Sequence, residues 1–368
     1  MKKYIRNILT ILVTISILLS FISCGQKKAE DVKEKDNFDM KMASLTVENY
    51  VKFTKNQQYD QANSLVSDSV KINKQDLTQN GLKITGYKML EMNESNEGGN
   101  FKIEVIKSNE SKPETLITES EIIVKKEGID YKINKINTDI KKEIFFNDGM
   151  LRLRKENEVD TNLVTDMQGL PKYAYSKDDK AKMKMNIVPK TNFGIIEFGY
   201  EGTSIAMTTF DSDTFIAILM LDDTMTTQGN NDNPQDQQST GDQKGKNGGK
   251  ILKEVPLGKK ITSCDILTNS KVEFMRFSLD EKYLAVQYIA NDNSKRAIRL
   301  YDTSNGDILS VNFEEEYPLN KVQVILGEFQ NEKMKYKVIP KSESDKSNDY
   351  VGEWEMDLKE LKLKKISK

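Results

Sequence analysis

The residues in this chain that could perform chemistry are limited in kind. Its 368 residues include no histidine and only two cysteines, Cys24 and Cys264. The absence of histidine excludes Ser-His-Asp and Cys-His catalysis, histidine general bases and histidine metal ligands. Carboxylates are abundant, but no stretch singles out a pair placed for acid–base work. We therefore expect no catalytic residue, no metal site and no cofactor, and we predict that the chain is not an enzyme.

Cys24 ends a segment that is typical of an export signal. An apolar run over residues 8–22, about fifteen residues and short of the roughly 20 that span a membrane, follows three basic residues, Lys2, Lys3 and Arg6. The tail Phe21-Ile22-Ser23-Cys24 resembles the bacterial lipobox, with Phe21 where leucine is usual. The resemblance implies a signal peptide over residues 1–23 and a lipid on Cys24. A plain signal peptide, or an uncleaved anchor with an unused Cys24, stays open.

A lipid on Cys24 would hold the chain on the extracytoplasmic face of a cell membrane. The high content of Lys, Asn, Ile and Glu resembles that of clostridium-like Gram-positive proteins. Residues 24–41 are highly charged and almost free of large apolar groups, so we predict a lipidated, disordered tether. Cys264 would then have no second thiol to pair with. It is either a small buried residue, which the sequence favours, or a reactive thiol.

The charge balance excludes one class of partner. Lys and Arg number 55 against 57 Asp and Glu, a net charge of −2, and cleavage of the signal would remove three of the basic residues. A nucleic-acid-binding protein would carry a basic face, so we expect no nucleic-acid partner. The same balance predicts no polybasic grip on the membrane beyond the lipid.

Residues 42–140 have the pattern of an α+β domain. Apolar residues at helical spacing predict two helices, through Leu45, Tyr50, Val51 and Phe53 and then through Tyr59, Ala62, Leu65 and Val66. Alternating segments separated by turn-forming residues predict a four-stranded antiparallel sheet, with strands in 82–89, 101–106, 115–126 and 129–136.

The last of these strands, in residues 128–136, and the opening pattern Tyr50…Phe53…Gln58-Tyr59-Asp60-Gln61-Ala62…Leu65 resemble nuclear-transport-factor-2-like domains. Such domains recur behind lipoboxes in Gram-positive lipoproteins. The resemblance implies a cone-like domain whose open mouth is a small-ligand pocket or a protein docking face. Three residues either line such a cone or are ordinary core, which is the favoured interpretation: Tyr87, Met89 and Tyr131.

Residues 141–368 predict a mostly antiparallel β domain. The layout of residues 274–309, with a Ser-x-Asp-x-Lys turn and a Tyr-Asp-x-x-x-Gly turn between strands, resembles a propeller blade of the WD-repeat or TolB type. Weaker blade-like meanders lie at 193–221 and 322–364. A propeller needs at least four blades, so we favour a partial, propeller-like domain over a closed one.

Residues 226–250 are polar throughout, and we predict a disordered insert. Four nearby aspartates lack the register of a calcium loop, which favours a solvated loop over a metal site: Asp222, Asp223, Asp232 and Asp236.

Three functions fit these features. The favoured one is a non-catalytic, lipid-anchored extracytoplasmic lipoprotein that binds or assembles with another envelope component, a protein or the cell wall. The alternative is a small-ligand-binding or sensing lipoprotein that uses the mouth of the first domain. A hydrolase with paired carboxylates is the least favoured. Trp354 and Tyr350 are either an aromatic anchor pair for a partner or, as we favour, core residues.

Overall fold

The computed structural model describes residues 38–71, 81–95, 98–222 and 254–367. Cys24, the predicted signal and most of the predicted tether lie outside the described residues, and so does the whole predicted insert. Residues Met40–Lys368 form one compact unit, which contains all the core residues given below. Within the described ranges, no helix has both the length and the apolar character needed to cross a membrane.

Two helices open the unit, α1 (Met40–Lys55) and α2 (Tyr59–Ser64). α1 is amphipathic, because its buried residues recur every three or four positions on one face: Ala43, Thr46, Val47, Tyr50 and Val51. Leu45, which we expected on the buried face, is instead 41% exposed. Lys52 and Lys55 lie in the last turn, where positive charge complements the helix dipole.

A six-stranded antiparallel sheet follows, with its strands in sequence order. The strands are β1 (Leu82–Ser95), β2 (Gly98–Asn109), β3 (Glu114–Glu127), β4 (Asp130–Asn147), β5 (Met150–Lys155) and β6 (Asn162–Asp166). α1 packs across the first four of them. Register shifts interrupt β1–β2 and β3–β4, and such bulges bend a sheet.

The first sheet is larger than the sequence predicted. We expected four strands and an end to the domain at residue 140, but residue 140 lies inside β4, and β5 and β6 extend the sheet to Asp166. The reason is the length of β4, which pairs with β3 over nearly its whole extent and then with β5. The nuclear-transport-factor-2-like assignment of this region stays a prediction.

The remaining strands form antiparallel meanders, so the fold is mostly antiparallel β and propeller-like. A hairpin pairs β7 (Tyr173–Tyr175) with β8 (Met185–Ile187). The next sheet, in the order β12-β11-β10-β9, has the strands β9 (Asn192–Phe198), β10 (Ser204–Phe210), β11 (Thr214–Leu221) and β12 (Gly258–Leu267).

Two more sheets complete the chain. The first contains β13 (Ser270–Phe277), β14 (Tyr283–Ala290) and β15 (Arg296–Asp302); the second contains β16 (Val322–Gln330), β17 (Lys333–Pro340), β18 (Gly352–Asp357) and β19 (Leu363–Ser367). A one-turn helix, α3 (Phe313–Glu316), lies between them. The three strands of the best predicted blade are confirmed as β13–β15, but its fourth is only a single bridge between Tyr301 and Ile308.

Two apolar cores hold the sheets together. One joins the far end of the first sheet to β9–β12, and the other lies between β9–β12, β13–β15 and β16–β19. In the first core, Ile106, Ile117 and Ile144 of the six-stranded sheet pack with Phe198 and Phe215. These two cores thus pack the six-stranded sheet against β9–β12, and β9–β12 against the last two sheets. Burial of these side chains is the main stabilising contribution, at about 25 cal/mol per Å² of apolar surface.

Candidate functional site

A cavity of about 470 Å³ opens between the end of α1 and the first sheet. We call it the lysine cavity, because three of its lining residues are Lys55, Lys83 and Lys107. Its floor is a row of cross-strand neighbours in which Lys107 of β2 lies opposite Ile84 of β1 on one side and Leu116 of β3 on the other. The volume falls within the range of small-molecule sites.

The backbone turn after α1 forms one wall of the lysine cavity. The Gln57 amide donates to the Thr54 carbonyl at 3.0 Å, and the Gln58 amide donates to the Phe53 carbonyl at 2.8 Å. This pair of bonds is a Schellman motif, which needs a left-handed residue at its centre. Gln57 supplies it, with φ of 59°. The motif stops the helix where Lys55 and Thr54 line the cavity.

Two of the three lysines form no ion pair with a described side chain. Lys83 is paired, since its ammonium donates to Glu110. Lys55 and Lys107 form no ion pair or hydrogen bond through their ammonium groups with any described residue. Both side chains are half-buried. A cavity with two such ammonium groups has a positive potential that a bound anion would neutralise.

Burial changes the proton affinity of these groups. Burial lowers the pKa of Lys107. Burial, and then the nearby Arg276, lowers the pKa of Lys55, while Glu328 and Glu197 oppose that change. A desolvated lysine can hold an anion as an ammonium ion or act as a nucleophile as a free amine. The hydroxyl groups beside them are already engaged: Thr54 donates to the Tyr50 carbonyl at 2.8 Å and Thr118 to the Val105 carbonyl at 3.2 Å.

An ion network includes Lys83 of the lysine cavity. Arg276 of β13 is 3.4 Å from Glu197 of β9 and 3.6 Å from Glu110, which also accepts from Lys83. Glu197 is only 4% exposed. Burial raises the pKa of Glu197, and Arg276 opposes the change. The network links Lys83 of the first sheet to β9 and β13.

A second, more open cavity of about 720 Å³ shares Lys55 with the first. We call it the tyrosine cavity, after Tyr87 of β1 and Tyr200, which follows β9. Gly86 allows the two strands to approach, because a Cβ at that position would lie 2.6 Å from the Tyr200 hydroxyl oxygen. Burial raises the pKa of both tyrosines, so each is a neutral hydroxyl at physiological pH.

A second charged cluster, around Asp265, holds elements of the fold together. Asp265 of β12 is fully buried and accepts from Arg299 at 2.8 Å, from Tyr301 at 2.7 Å and from the Lys177 amide at 2.8 Å. Arg299 also donates to Glu314 at 2.6 Å. Arg299 also donates to Asp178 at 2.6 Å, so this group ties β12, β15 and α3 to the loop after β7.

The structure places the predicted cone residues away from the lysine cavity. Tyr87 lines the tyrosine cavity instead, and Met89 and Tyr131 do not line either cavity. The register places Tyr87 and Met89 on the same face of the sheet as Ile84, because after the bulge between Ile84 and Gly86 they pair with Val105 and Ile103, which share a face of β2 with Lys107. They lie farther along β1, and of the three only Ile84 lines the lysine cavity.

Other singled-out residues belong to the core or lie outside the described ranges. Cys264 is 1% exposed, and burial raises the pKa of its thiol to about 12, so it is the small buried residue that we favoured. Trp354 packs edge-on against Tyr317 at 5.5 Å and stacks on Tyr336. The calcium candidates other than Asp222 lie outside the described residues. Within the described part, no group of three acidic or cysteine ligands could hold a metal.

Comparisons with known proteins add little. No protein-family model and no curated protein matches the chain. Among solved structures, it is similar to a Bacteroides ovatus protein assigned as a dipeptidyl aminopeptidase IV, with 10% identity, a TM-score of 0.30, and coverage of 72% of this chain and 45% of that one. The chain therefore spans less than half the length of that protein.

Two further solved structures match, both of proteins assigned as 6-phosphogluconolactonases. The one from Bacteroides uniformis has 11% identity and a TM-score of 0.27, with 72% of this chain and 67% of that one covered. The one from Bacteroides fragilis has 10% identity and a TM-score of 0.25, with 62% and 70% covered.

These matches contradict the prediction that the chain is not an enzyme, since the matched proteins are assigned as enzymes. The prediction rested on the missing histidine, which excludes only histidine-dependent chemistry. Lysine and carboxylate chemistry stays open to such a chain. We withdraw the prediction, and no activity is transferred from proteins that are this distant.

Lys55 and Lys107 were missed in the sequence, although a signal for each was present. Lys107 lies on the face of β2 that continues Phe101, Ile103 and Val105, all buried. Lys55 continues the buried stripe of α1 by one turn beyond Val51. A charge at the end of an apolar face is the pattern that marks them.

Proposed function

We propose that this chain is a lipid-anchored, extracytoplasmic binding protein that takes a small organic anion into the lysine cavity. The observation that carries the proposal is the pair Lys55 and Lys107, which line one half-enclosed cavity and form no ion pair with a described residue. Unpaired buried charge is costly in a folded protein. Its presence is explained if a bound anion neutralises it.

The apolar floor defines the kind of anion. Ile84 and Leu116 flank Lys107 across the sheet, and Ile140 lies opposite Thr118 in the next row. Such a surface favours a ligand with an apolar body and one acidic group over a fully hydrated ion. A carboxylate, sulfonate or phosphate would accept charge-assisted hydrogen bonds from the ammonium groups, each contributing about 1.5–3 kcal/mol.

The sequence alone favoured a role in binding or assembling with an envelope protein. The lysine cavity supports the alternative, the binding of a small ligand, because it supplies an enclosed volume and a specific chemical preference. The lipid on Cys24 and the extracytoplasmic location rest on the sequence of residues 1–24. A ligand-binding protein in that place would act on compounds that reach the cell from outside.

Fluorescence titration with 8-anilinonaphthalene-1-sulfonate tests the ligand proposal. This probe has an aromatic body and one sulfonate, and its emission rises in apolar surroundings. The protein is residues Met40–Lys368, which form one compact unit. Three proteins are compared: the unchanged chain, Lys107→Gln and Lys102→Gln. Lys102 lies on the same strand but pairs with Glu119 at 3.0 Å, so its variant is a control with the same change in charge.

We expect saturable binding to the unchanged protein and displacement of the probe by hexanoate. Lys107→Gln should weaken binding about tenfold or more, as expected for loss of one charge-assisted hydrogen bond, and Lys102→Gln should leave it unchanged. Equal affinity in all three proteins would overturn the proposal.

The anchor is tested separately in full-length chains expressed in a Gram-positive host that is fed an alkyne-labelled fatty acid. The unchanged chain should incorporate the label and sediment with membranes. Cys24→Ala should lose the label, and incorporation by Cys24→Ala would exclude Cys24 as the lipidated residue.

A further inference from the structure

The β7–β8 hairpin presents an exposed apolar face. Tyr173 lies directly opposite Ile187 in the hairpin, and these side chains are 56% and 75% exposed. Met185 and Met183 continue the same edge and are 56% and 85% exposed. Large apolar side chains grouped in this way on one small element mark an interaction surface.

The hairpin is fixed to the rest of the protein on its other side. Ala174 and Val188 are buried in the core that joins the first sheet to β9–β12. In the connecting loop, the Lys177 amide donates to Asp265 at 2.8 Å and its ammonium pairs with Asp307 at 2.9 Å. The exposed apolar face is therefore held on a rigid base.

Basic residues surround the apolar side chains. Three exposed lysines form no salt bridge with a described residue: Lys172, Lys182 and Lys184. The two carboxylates of the loop form hydrogen bonds elsewhere. Asp178 accepts from Arg299 at 2.6 Å, and Asp179 accepts from the Lys184 amide at 2.7 Å. The exposed surface is thus cationic as well as apolar, and we call it the basic hairpin.

We propose that the basic hairpin docks on an anionic lipid bilayer, with Tyr173, Met183, Met185 and Ile187 at the acyl boundary and the three lysines at the phosphates. Lysine stems lie along apolar surface while the ammonium groups reach the lipid headgroups. A side of apolar residues bordered by lysines is the pattern of elements that lie in a membrane interface.

The proposal departs from the expectation of no polybasic grip on the membrane, which was drawn from the near-neutral charge of the whole chain. Charge complementarity favours a bilayer because phosphates are spread over its whole surface. A protein partner would need a matching acidic and apolar groove. The inference does not rest on the lysine cavity, and it stands whether or not Cys24 is lipidated.

A labelled variant of Met40–Lys368 tests the docking. Met183→Cys is coupled to a nitrobenzoxadiazole dye, and the native Cys264 is too buried to react. The protein is titrated with phosphatidylcholine vesicles with and without phosphatidylglycerol. Lys364→Cys, on an exposed position of β19, carries the dye in the control.

We expect a blue shift and enhanced emission from position 183, only with phosphatidylglycerol, and no change from position 364. Lys172, Lys182 and Lys184 changed together to Gln should weaken vesicle binding about a hundredfold, at about fivefold for each lysine. A matched control changes three exposed lysines in or beside the last sheet that form no salt bridge with a described residue, Lys321, Lys359 and Lys364, and should bind as the unchanged protein does.

Further measurements separate the apolar contribution from the charge, and a bilayer from a protein partner. Met185→Ser with Ile187→Ser should reduce the blue shift even where the charge is unchanged, because the apolar contact is lost. Equal loss of binding in the hairpin and control lysine variants would overturn the proposal, as would equal binding to both kinds of vesicle. Failure to bind any vesicle, with crosslinking from position 183 to a protein, would assign the surface to a protein partner instead.

Discussion

Replacement of Lys107 by methionine should stabilise the protein while it removes ligand binding. The ammonium group lies in a row between Ile84 and Leu116 and has no described counter-charge. Methionine keeps the length of the side chain, packs against both neighbours and removes the cost of burying a charge. Residues held for function at a cost in stability commonly yield about 0.5–2 kcal/mol when replaced.

The gain can be expressed as a melting temperature. Unfolding entropy of about 2.1 cal/mol/K per residue gives a unit of this length about 0.7 kcal/mol/K. A gain of about 1 kcal/mol therefore raises the melting temperature by about 1.5 °C. Differential scanning calorimetry on Met40–Lys368 without ligand measures it. Lys102→Met is the control, and it should gain nothing because it loses the pairing with Glu119.

The pH dependence gives the prediction a second test. Burial lowers the pKa of Lys107 in the folded state, so the unfolded chain binds more protons between that lowered pKa and about 10.4. The unchanged protein is therefore stabilised as pH rises through this window, and Lys107→Met is not. The advantage of the variant should be largest near neutral pH and shrink toward pH 10. A destabilised variant, or an advantage that does not change with pH, would refute the idea that Lys107 is a buried charge without a partner.

Three further substitutions test the framework of the protein by thermal unfolding. Asp265→Ala should lower the free energy of unfolding by about 3–5 kcal/mol, because it leaves the Arg299 charge and two other donors without their buried acceptor. A decrease of less than about 1 kcal/mol would show that the cluster is not structural. Gly86→Ala should cost about 1–3 kcal/mol by overpacking against Tyr200, and an unchanged melting temperature would contradict the close approach. Gln57→Gly should raise the free energy of unfolding by about 0.5–1 kcal/mol, because glycine adopts the left-handed conformation freely. A lower free energy of unfolding would mean that the contacts of the Gln57 side chain outweigh the strain of its left-handed backbone.

Local patterns predicted most of the secondary structure. Alternation of apolar and polar residues located β1–β4, apolar runs between turn-forming residues located β9–β11, and blade-like layouts located β13–β19. β10 and β11 are buried on both faces, which is why no alternation marks them. The end of the first sheet was missed because β4 passes through residues 137–140, where polar and exposed residues interrupt the alternation. Only pairing with β3 and β5, which lies in tertiary structure, keeps that stretch in the sheet.

The site could be predicted only in part. Lys55 and Lys107 each end an apolar face, so each was visible as an anomaly within its own element. Their convergence on one cavity depends on how α1 lies across β1–β4, which no local pattern records. Arg276 and Glu197 come from strands about eighty residues apart, and the basic hairpin is concealed by the charge balance of the whole chain.

Anion binding in the lysine cavity is tested by a crystal structure of Met40–Lys368 grown with 8-anilinonaphthalene-1-sulfonate. We expect the probe in that cavity, with its sulfonate within hydrogen-bond distance of the ammonium groups of Lys55 and Lys107 and its rings against Ile84 and Leu116. Anomalous scattering from the sulfonate sulfur would identify its position independently of the ring density. The probe bound elsewhere, with the lysine cavity closed or filled by the protein's own side chains, would contradict the account.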